Sequence, residues 1–221
     1  MRLLFFLWYY ELIDIIKKEG IKIKKILKKI QNFFTKKNQK DKIDLNLKNH
    51  LKRVSMYSEL LADLMCIEKH KINLIKEGAF LHDIGKTLID IKILNKPSTL
   101  TSEEFEIMKE HTKLGVNLIN ANNDIIKNII TLHHEKWNGT GYPCGLKEFQ
   151  IPIEARIVSI VDCYDALTSK RPYKDKLSHS DALNFIKNES GKSFDPEITY
   201  MFILFEKRFE DLLKRINNNE E

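Results

Sequence analysis

From residue 43 onward the apolar residues recur at every third and fourth position, and the connections between such runs are short. A chain patterned this way is constrained to helices that bury one stripe against one another. HLKRVSMYSELLADLM carries the spacing, and TLTSEEFEIMKEHTKLGVNLI opens with Thr101 three residues before Glu104, a capping-box start for a single long helix. Further helices are predicted for NNDIIKNIITLHH, for SDALNFI, and for PIEARIVSIVDCYDALTS and PEITYMFILFEKRFEDLLKRI, with Pro152 and Pro196 in their first turns. Strand signals are sparse, and the one long irregular stretch runs from Asn138 to Ile151. The expected fold class is all-α, a helical bundle over residues 43–215 with a polar tail at 216–221 that should fray.

Residues 1–42 differ from this body. They hold 12 Lys/Arg against 4 Asp/Glu, a net of +8, whereas the remaining residues carry 25 against 27, a net of −2. The body therefore lacks the broad basic face of a DNA- or RNA-polymer binder, and an anionic substrate would be met by a few placed cations or metals. RLLFFLWYYELIDII is interrupted by Glu11 and Asp14 and falls short of the ~20 residues a spanning helix needs. KKEG follows it where a secretory signal would place a small-residue cleavage site. IKIKKILKKIQNFF sets Ile23, Ile26, Leu27, Ile30 and Phe34 on one face of a basic amphipathic helix. Such a helix suits packing on the body, pairing in a homodimer, or peripheral contact with anionic lipid. Cys66, Cys144 and Cys163 are far apart and form no CxxC pair, which indicates a reducing compartment. The expected location is the cytoplasm, with the inner face of the membrane as an alternative.

Chemistry is concentrated in the histidines. Of seven, His50, His82, His111, His133 and His134 lie beside acidic residues or at helix ends, while His70 and His179 stand apart. His82 precedes Asp83 in FLHDIGK, and Asp162 interrupts an apolar helix in IVDCYDAL, where a carboxylate needs a partner. Imidazole and carboxylate together are the ligand set of divalent Fe, Mn, Zn, Ni or Co. Five histidines and two aspartates exceed the needs of one ion. Two ions bridged by Asp83 and a water-derived hydroxide would use all seven and suit phosphoester hydrolysis.

His50 in HLKRV, His82-Asp83 in HDIGK and Asp162 resemble the ligand pattern of the HD superfamily of metal-dependent phosphohydrolases. His111 in MKEHTKLG, the pair His133-His134 and the loop NGTGYP resemble its HD-GYP branch. The resemblance implies a mostly helical domain that hydrolyses cyclic di-GMP to linear pGpG and/or GMP. It implies that His50, His82, Asp83 and Asp162 hold one ion, while Asp83, His111, His133 and His134 hold the other. Fe or Mn is the expected metal, with Zn, Ni or Co as alternatives. Asn46 occupies the position, four before His50, at which some relatives supply a glutamate to a third ion, so two ions are expected.

By the same resemblance Asp83 and Lys86 take part in catalysis. Lys86 lies four residues after His82, one turn of a helix, and its ammonium would meet charge developing on phosphoryl oxygens. Arg171 and Lys174 in SKRPYK would grip substrate phosphates. Tyr142 and Gly141 of the loop would line the substrate, Tyr142 by stacking on a guanine or bonding its phosphate. Asp165, three residues after Asp162, is expected to hold no metal and to serve as a comparison position. Two other functions fit the sequence: a phosphohydrolase of another cyclic dinucleotide or nucleotide, and a cyclic di-GMP receptor with little activity.

Overall fold

The structure, a computed structural model, describes residues 40–119, 122–169 and 176–220, with side chains from 47 to 216. The expectations for residues 1–39, and those for Arg171 and Lys174, fall outside the described residues. Ten α-helices and two 3-10 turns are found among the described residues, with no strand.

Lys40–Leu64 (α1) buries Leu51, Val54, Leu61 and Ala62 along one stripe and packs on Lys69–Leu81 (α2) and on Ile153–Thr168 (α7). The α7 helix is apolar nearly all round, as a central helix must be, with Ala155, Ile157, Val158, Ile160, Val161 and Tyr164 fully buried. Asp124–Leu132 (α6) and His179–Asn188 (α8) pack on other sides of α7. An aromatic group closes the far end of the core, with Tyr164 edge-on to Tyr57 at 5.3 Å and to Phe202 at 5.2 Å. Two aspartates, Asp162 and Asp165, thus ride on the most buried helix of the molecule.

Three features depart from the sequence expectation. The run from Thr101 is two helices, Ser102–Lys109 (α4) and His111–Ile119 (α5), broken at Glu110. Their burial explains the break: α4 has no buried residue, whereas α5 buries His111, Thr112, Gly115, Leu118 and Ile119, so the chain must turn inward between them. The expected capping box of Thr101 and Glu104 is formed. The C-terminal run divides at Phe205 into Pro196–Leu204 (α9) and Glu206–Glu220 (α10). Residues seven apart on a straight helix stand ~10.5 Å apart along its axis, yet the rings of Phe202 and Phe209 meet at 4.2 Å. The bend brings them together. Finally, α2 was not anticipated as a helix: Gly78 and Ala79 occupy its buried face and dilute the apolar signal. A short helix, Ile91–Leu94 (α3), links this region to α4.

The 3-10 turn Ile84–Leu88 follows α2 and carries the HDIGK motif against α5. Contact is backbone to backbone: a Cβ on Gly85 would lie 1.8 Å from the His111 carbonyl oxygen and 2.6 Å from the Gly115 nitrogen. Glycine is required by this approach, which sets Asp83 beside His111. Gly85→Ala must therefore separate the turn from α5. A loss of about 2–3 kcal/mol is expected, or a melting temperature lower by about 4–12 °C for a domain of this size, measured by thermal circular dichroism. An unchanged melting temperature would show that the two elements are not so tightly opposed.

A candidate metal centre at three helix ends

Four of the site histidines are oriented through Nδ1. His82 caps the C-terminus of α2 and its Nδ1 bonds the Ala79 carbonyl at 2.7 Å. His111, just past the end of α4, bonds the Met108 carbonyl at 2.7 Å, and His133 caps α6 and bonds the Ile129 carbonyl at 2.9 Å. Each carbonyl belongs to the last turn of its helix, where acceptors lack a full set of intrahelical donors. Since carbonyls only accept, Nδ1 carries the proton and Nε2 is left with a lone pair. His50, on α1, is oriented likewise, its Nδ1 donating to Asp165 Oδ2 at 2.8 Å.

All four Nε2 atoms converge on Asp83. Its Oδ2 lies 3.7 Å from His50 Nε2 and 3.5 Å from His82 Nε2, while its Oδ1 lies 3.3 Å from His111 Nε2 and 3.8 Å from His133 Nε2. Asp162 Oδ1 joins the first group, 3.4 Å from His50 Nε2 and 3.8 Å from His82 Nε2. His134 joins the second, forming with Asp83, His111 and His133 a set of ligand atoms all within 4.8 Å of one another. Each oxygen of Asp83 thus faces a separate cluster.

The donor set fits divalent cations. His82 Nε2, His111 Nε2, His133 Nε2 and Asp83 Oδ1 are buried without any hydrogen-bond partner. Lone pairs facing lone pairs at such distances repel, and a cation between them removes both the repulsion and the missing partners. The C-terminal, negative ends of α2, α4 and α6 add to the attraction for positive charge. Burial drives His111 down to about 4, and it also lowers His133 and, more strongly, His134. These rings are therefore neutral at pH 7, the form that ligates. Burial alone would raise Asp83, but Lys86 and the surrounding imidazoles hold it well below the usual carboxylate range. His50 goes the other way: burial opposes its charge, yet Asp165, Asp83 and Asp162 raise it to about 9.

Two residues without an assigned role in the sequence reading prove to matter. Asp165 is not a neutral comparison position. It is buried at 1% exposure, bonds His50, and accepts from Arg53 through Nε to Oδ1 at 2.5 Å and Nη2 to Oδ2 at 3.2 Å. The argument applied to Asp162, that a carboxylate on an apolar helix needs a partner, applied equally to Asp165. Glu135, also buried, accepts from the backbone N–H groups of Cys144 at 2.6 Å and Leu146 at 3.1 Å and so ties down the GYP loop. Asn138 accepts from Thr140 in an Asx turn, as a short polar residue there should.

Lys86 sits in the 3-10 turn rather than on a continued helix. The pairing is therefore Asp83 with Lys86, Nζ to Oδ2 at 2.5 Å, instead of the one-turn relation to His82 that the sequence suggested. Gly141 packs its backbone on the preceding turn, where a Cβ would lie 2.3 Å from the Lys136 nitrogen. Tyr142 is half-buried with its ring stacked on His134.

A family profile for the HD domain matches residues 23–198. The chain is 41% identical over 176 residues to a cyclic di-GMP phosphodiesterase of Thermotoga maritima, covering 78% of this chain and 48% of that protein. It is 37% identical over 158 residues to 3'3'-cGAMP-specific phosphodiesterase 2 of Vibrio cholerae, covering 70% of this chain and 30% of that one. It thus spans about half or less of the length of these relatives. Among solved structures, Bd1817 of Bdellovibrio bacteriovorus, an HDG"Y"P protein, superposes with a TM-score of 0.59 at 24% identity, over 83% of this chain and 60% of that one.

Outer partners that aim a ligating imidazole are typically worth ten- to a hundredfold in metal affinity. Asp165→Asn keeps the size of the side chain and removes the charge behind His50, so Mn(II) affinity should fall by about that factor in a competitive chelator titration. Unaltered affinity would reduce Asp165 to a structural partner of Arg53.

Proposed function

Because the chain belongs to the HD-domain family, in its HD-GYP branch, we propose that it is a metal-dependent phosphodiesterase that hydrolyses cyclic di-GMP to linear pGpG and/or GMP. The observation that carries this reading is the placement of Asp83 between two clusters of unsatisfied, buried ligand atoms. The relative named a cyclic di-GMP phosphodiesterase supports the substrate. The relatives named as specific for 3'3'-cGAMP make a mixed cyclic dinucleotide the second candidate.

We assign His50, His82, Asp83 and Asp162 to one ion and Asp83, His111, His133 and His134 to the other, with Fe or Mn preferred over Zn, Ni or Co. Two such ions would supply Lewis acidity at the phosphoryl group and activate water at neutral pH. The chain's own part is orientation and charge. The last-turn carbonyls of α2, α4 and α6, with Asp165, fix which nitrogen of His50, His82, His111 and His133 faces Asp83. Lys86, whose side chain is about one-quarter exposed beside Asp83, presents an ammonium where a phosphoryl oxygen would arrive. Arg171 and Lys174 supply cations for the substrate's phosphates. Gly141 allows the loop to lie flat on Glu135 and Lys136, which brings the GYP segment to the rim of the site.

Protein purified anaerobically and loaded in turn with Mn(II), Fe(II) and Zn(II) should hold about two ions per chain by elemental analysis and turn over cyclic di-GMP, with products separated chromatographically. One or three ions, reproducibly, would overturn the site as assigned. Faster turnover of the mixed cyclic dinucleotide would shift the substrate, and binding without turnover of either would leave a receptor.

Binding and chemistry should separate by mutation. A phosphate contact made equally in the ground and transition states affects KM alone, so Arg171→Ala should raise KM by about ten- to a hundredfold with kcat and metal content unchanged. Lys86→Ala should lower kcat by roughly 10²–10³-fold, also with metal retained. Equal effects of the two substitutions on KM and kcat would contradict this division of labour.

A further inference from the structure

The five site histidines are not held alike. His50, His82, His111 and His133 each have Nδ1 fastened to a carboxylate or a helix-end carbonyl. His134 has no hydrogen bond on either ring nitrogen among the described residues. Rotation of an imidazole about its outer torsion is soft, so something else must set the direction of its ligating nitrogen.

Its ring has three aromatic neighbours. His133 lies at 4.1 Å, tilted by 44°, and His111 at 5.1 Å, nearly perpendicular at 82°. Tyr142 lies at 4.7 Å with an interplanar angle of 27°, face on face. Tyr142 is the one neighbour of the three that does not belong to the ligand cluster. It is itself well fixed. Its N–H donates to the His134 carbonyl at 3.2 Å, and Gly141 beside it is pressed onto Glu135 and Lys136. Phe105 meets its ring edge-on at 6.0 Å, and the Lys109 ammonium, which also pairs with Glu106, lies 5.7 Å over the same ring.

We propose that Tyr142 is a positioning residue for His134, its stacked ring doing for this imidazole what the Nδ1 hydrogen bonds do for the other four. The inference rests on reading the cluster as a metal centre. It gives the tyrosine of the GYP loop a role toward the second ion that does not depend on substrate contact. Phe105 and Lys109, from α4, hold the tyrosine in turn, so this otherwise exposed helix is tied to the centre. Stacking needs the ring and not the hydroxyl, which separates this role from a hydrogen bond to phosphate.

The test is equilibrium binding of Mn(II) to the full chain, followed by competitive chelation, for wild type, Tyr142→Phe, Tyr142→Ala and Phe105→Ala. Tyr142→Phe should bind two ions as wild type does. Tyr142→Ala should weaken one of the two by about ten- to a hundredfold and leave the other unchanged. Phe105→Ala, which leaves the site residues and the loop intact, should weaken the same ion by a smaller factor and keeps the proposal testable if Tyr142→Ala does not fold. Two ions bound with wild-type affinity by Tyr142→Ala, together with a raised KM at saturating Mn(II), would overturn the proposal and make Tyr142 a substrate contact. A wild-type chain that binds no Mn(II) would instead sink the metal-centre reading, and this inference with it.

Discussion

Three buried imidazole nitrogens without a partner, aimed at a buried carboxylate that lacks one on Oδ1, are a liability that the rest of the structure is built to sustain. A buried acceptor without a donor costs about 1–3 kcal/mol, and four such atoms, three imidazole nitrogens and Asp83 Oδ1 itself, meet here. Together they amount to a sizeable fraction of the 5–15 kcal/mol by which a domain is ordinarily stable. The surrounding helices must hold the arrangement against this repulsion. Cations that bind the folded chain and not the unfolded one recover the cost and add stability in proportion to their concentration over Kd.

The means of holding it is economical in structural parts. The ends of α2, α4 and α6 meet at one point, and each supplies a last-turn carbonyl to the histidine that follows or caps it. The same carbonyls select the tautomer, anchor the ring and bring the negative end of a helix dipole to the site. The Gly85 to Gly115 contact then sets how closely the HDIGK turn approaches α5, and therefore where Asp83 stands between the two clusters. Loss of that contact shifts Asp83 relative to His111, so a stability defect there is also a defect in the candidate site.

Much of this was legible in the sequence because helical periodicity and helix-end signals are local. The capping box at Thr101, the proline at the start of α9 and the position of His133 at the end of α6 all follow from neighbouring residues. The breaks at Glu110 and Phe205 do not, because they accompany contacts not visible locally: the burial of α5 against the Gly85 turn, and the meeting of Phe202 with Phe209 across the bend. Asp165 escaped for a related reason. Its partners His50 and Arg53 lie on α1, more than a hundred residues away, and three-residue spacing from Asp162 gave no sign that the two carboxylates meet opposite nitrogens of the same imidazole, His50.

The two halves of the centre are stiffened by different physics. On the Oδ2 side of Asp83, His50 is held by charge, through Asp165 and Arg53, and His82 by the Ala79 carbonyl; on the Oδ1 side the imidazoles are held by neutral carbonyls and, for His134, by packing, so charge enters on one side only. The charged half reaches further. Asp165 also accepts from the Ser169 hydroxyl at 3.3 Å, its carbonyl accepts from the Ser169 N–H, and the Leu177 N–H donates to the Leu167 carbonyl at 2.8 Å. Residues flanking the segment that carries Arg171 and Lys174 are thus fastened at both ends to the last turns of α7, the helix that bears Asp162 and Asp165. Asp165 is thus common to the orientation of His50 from α1 and to the fastening of Ser169 at the end of α7, so a change of its charge acts on both.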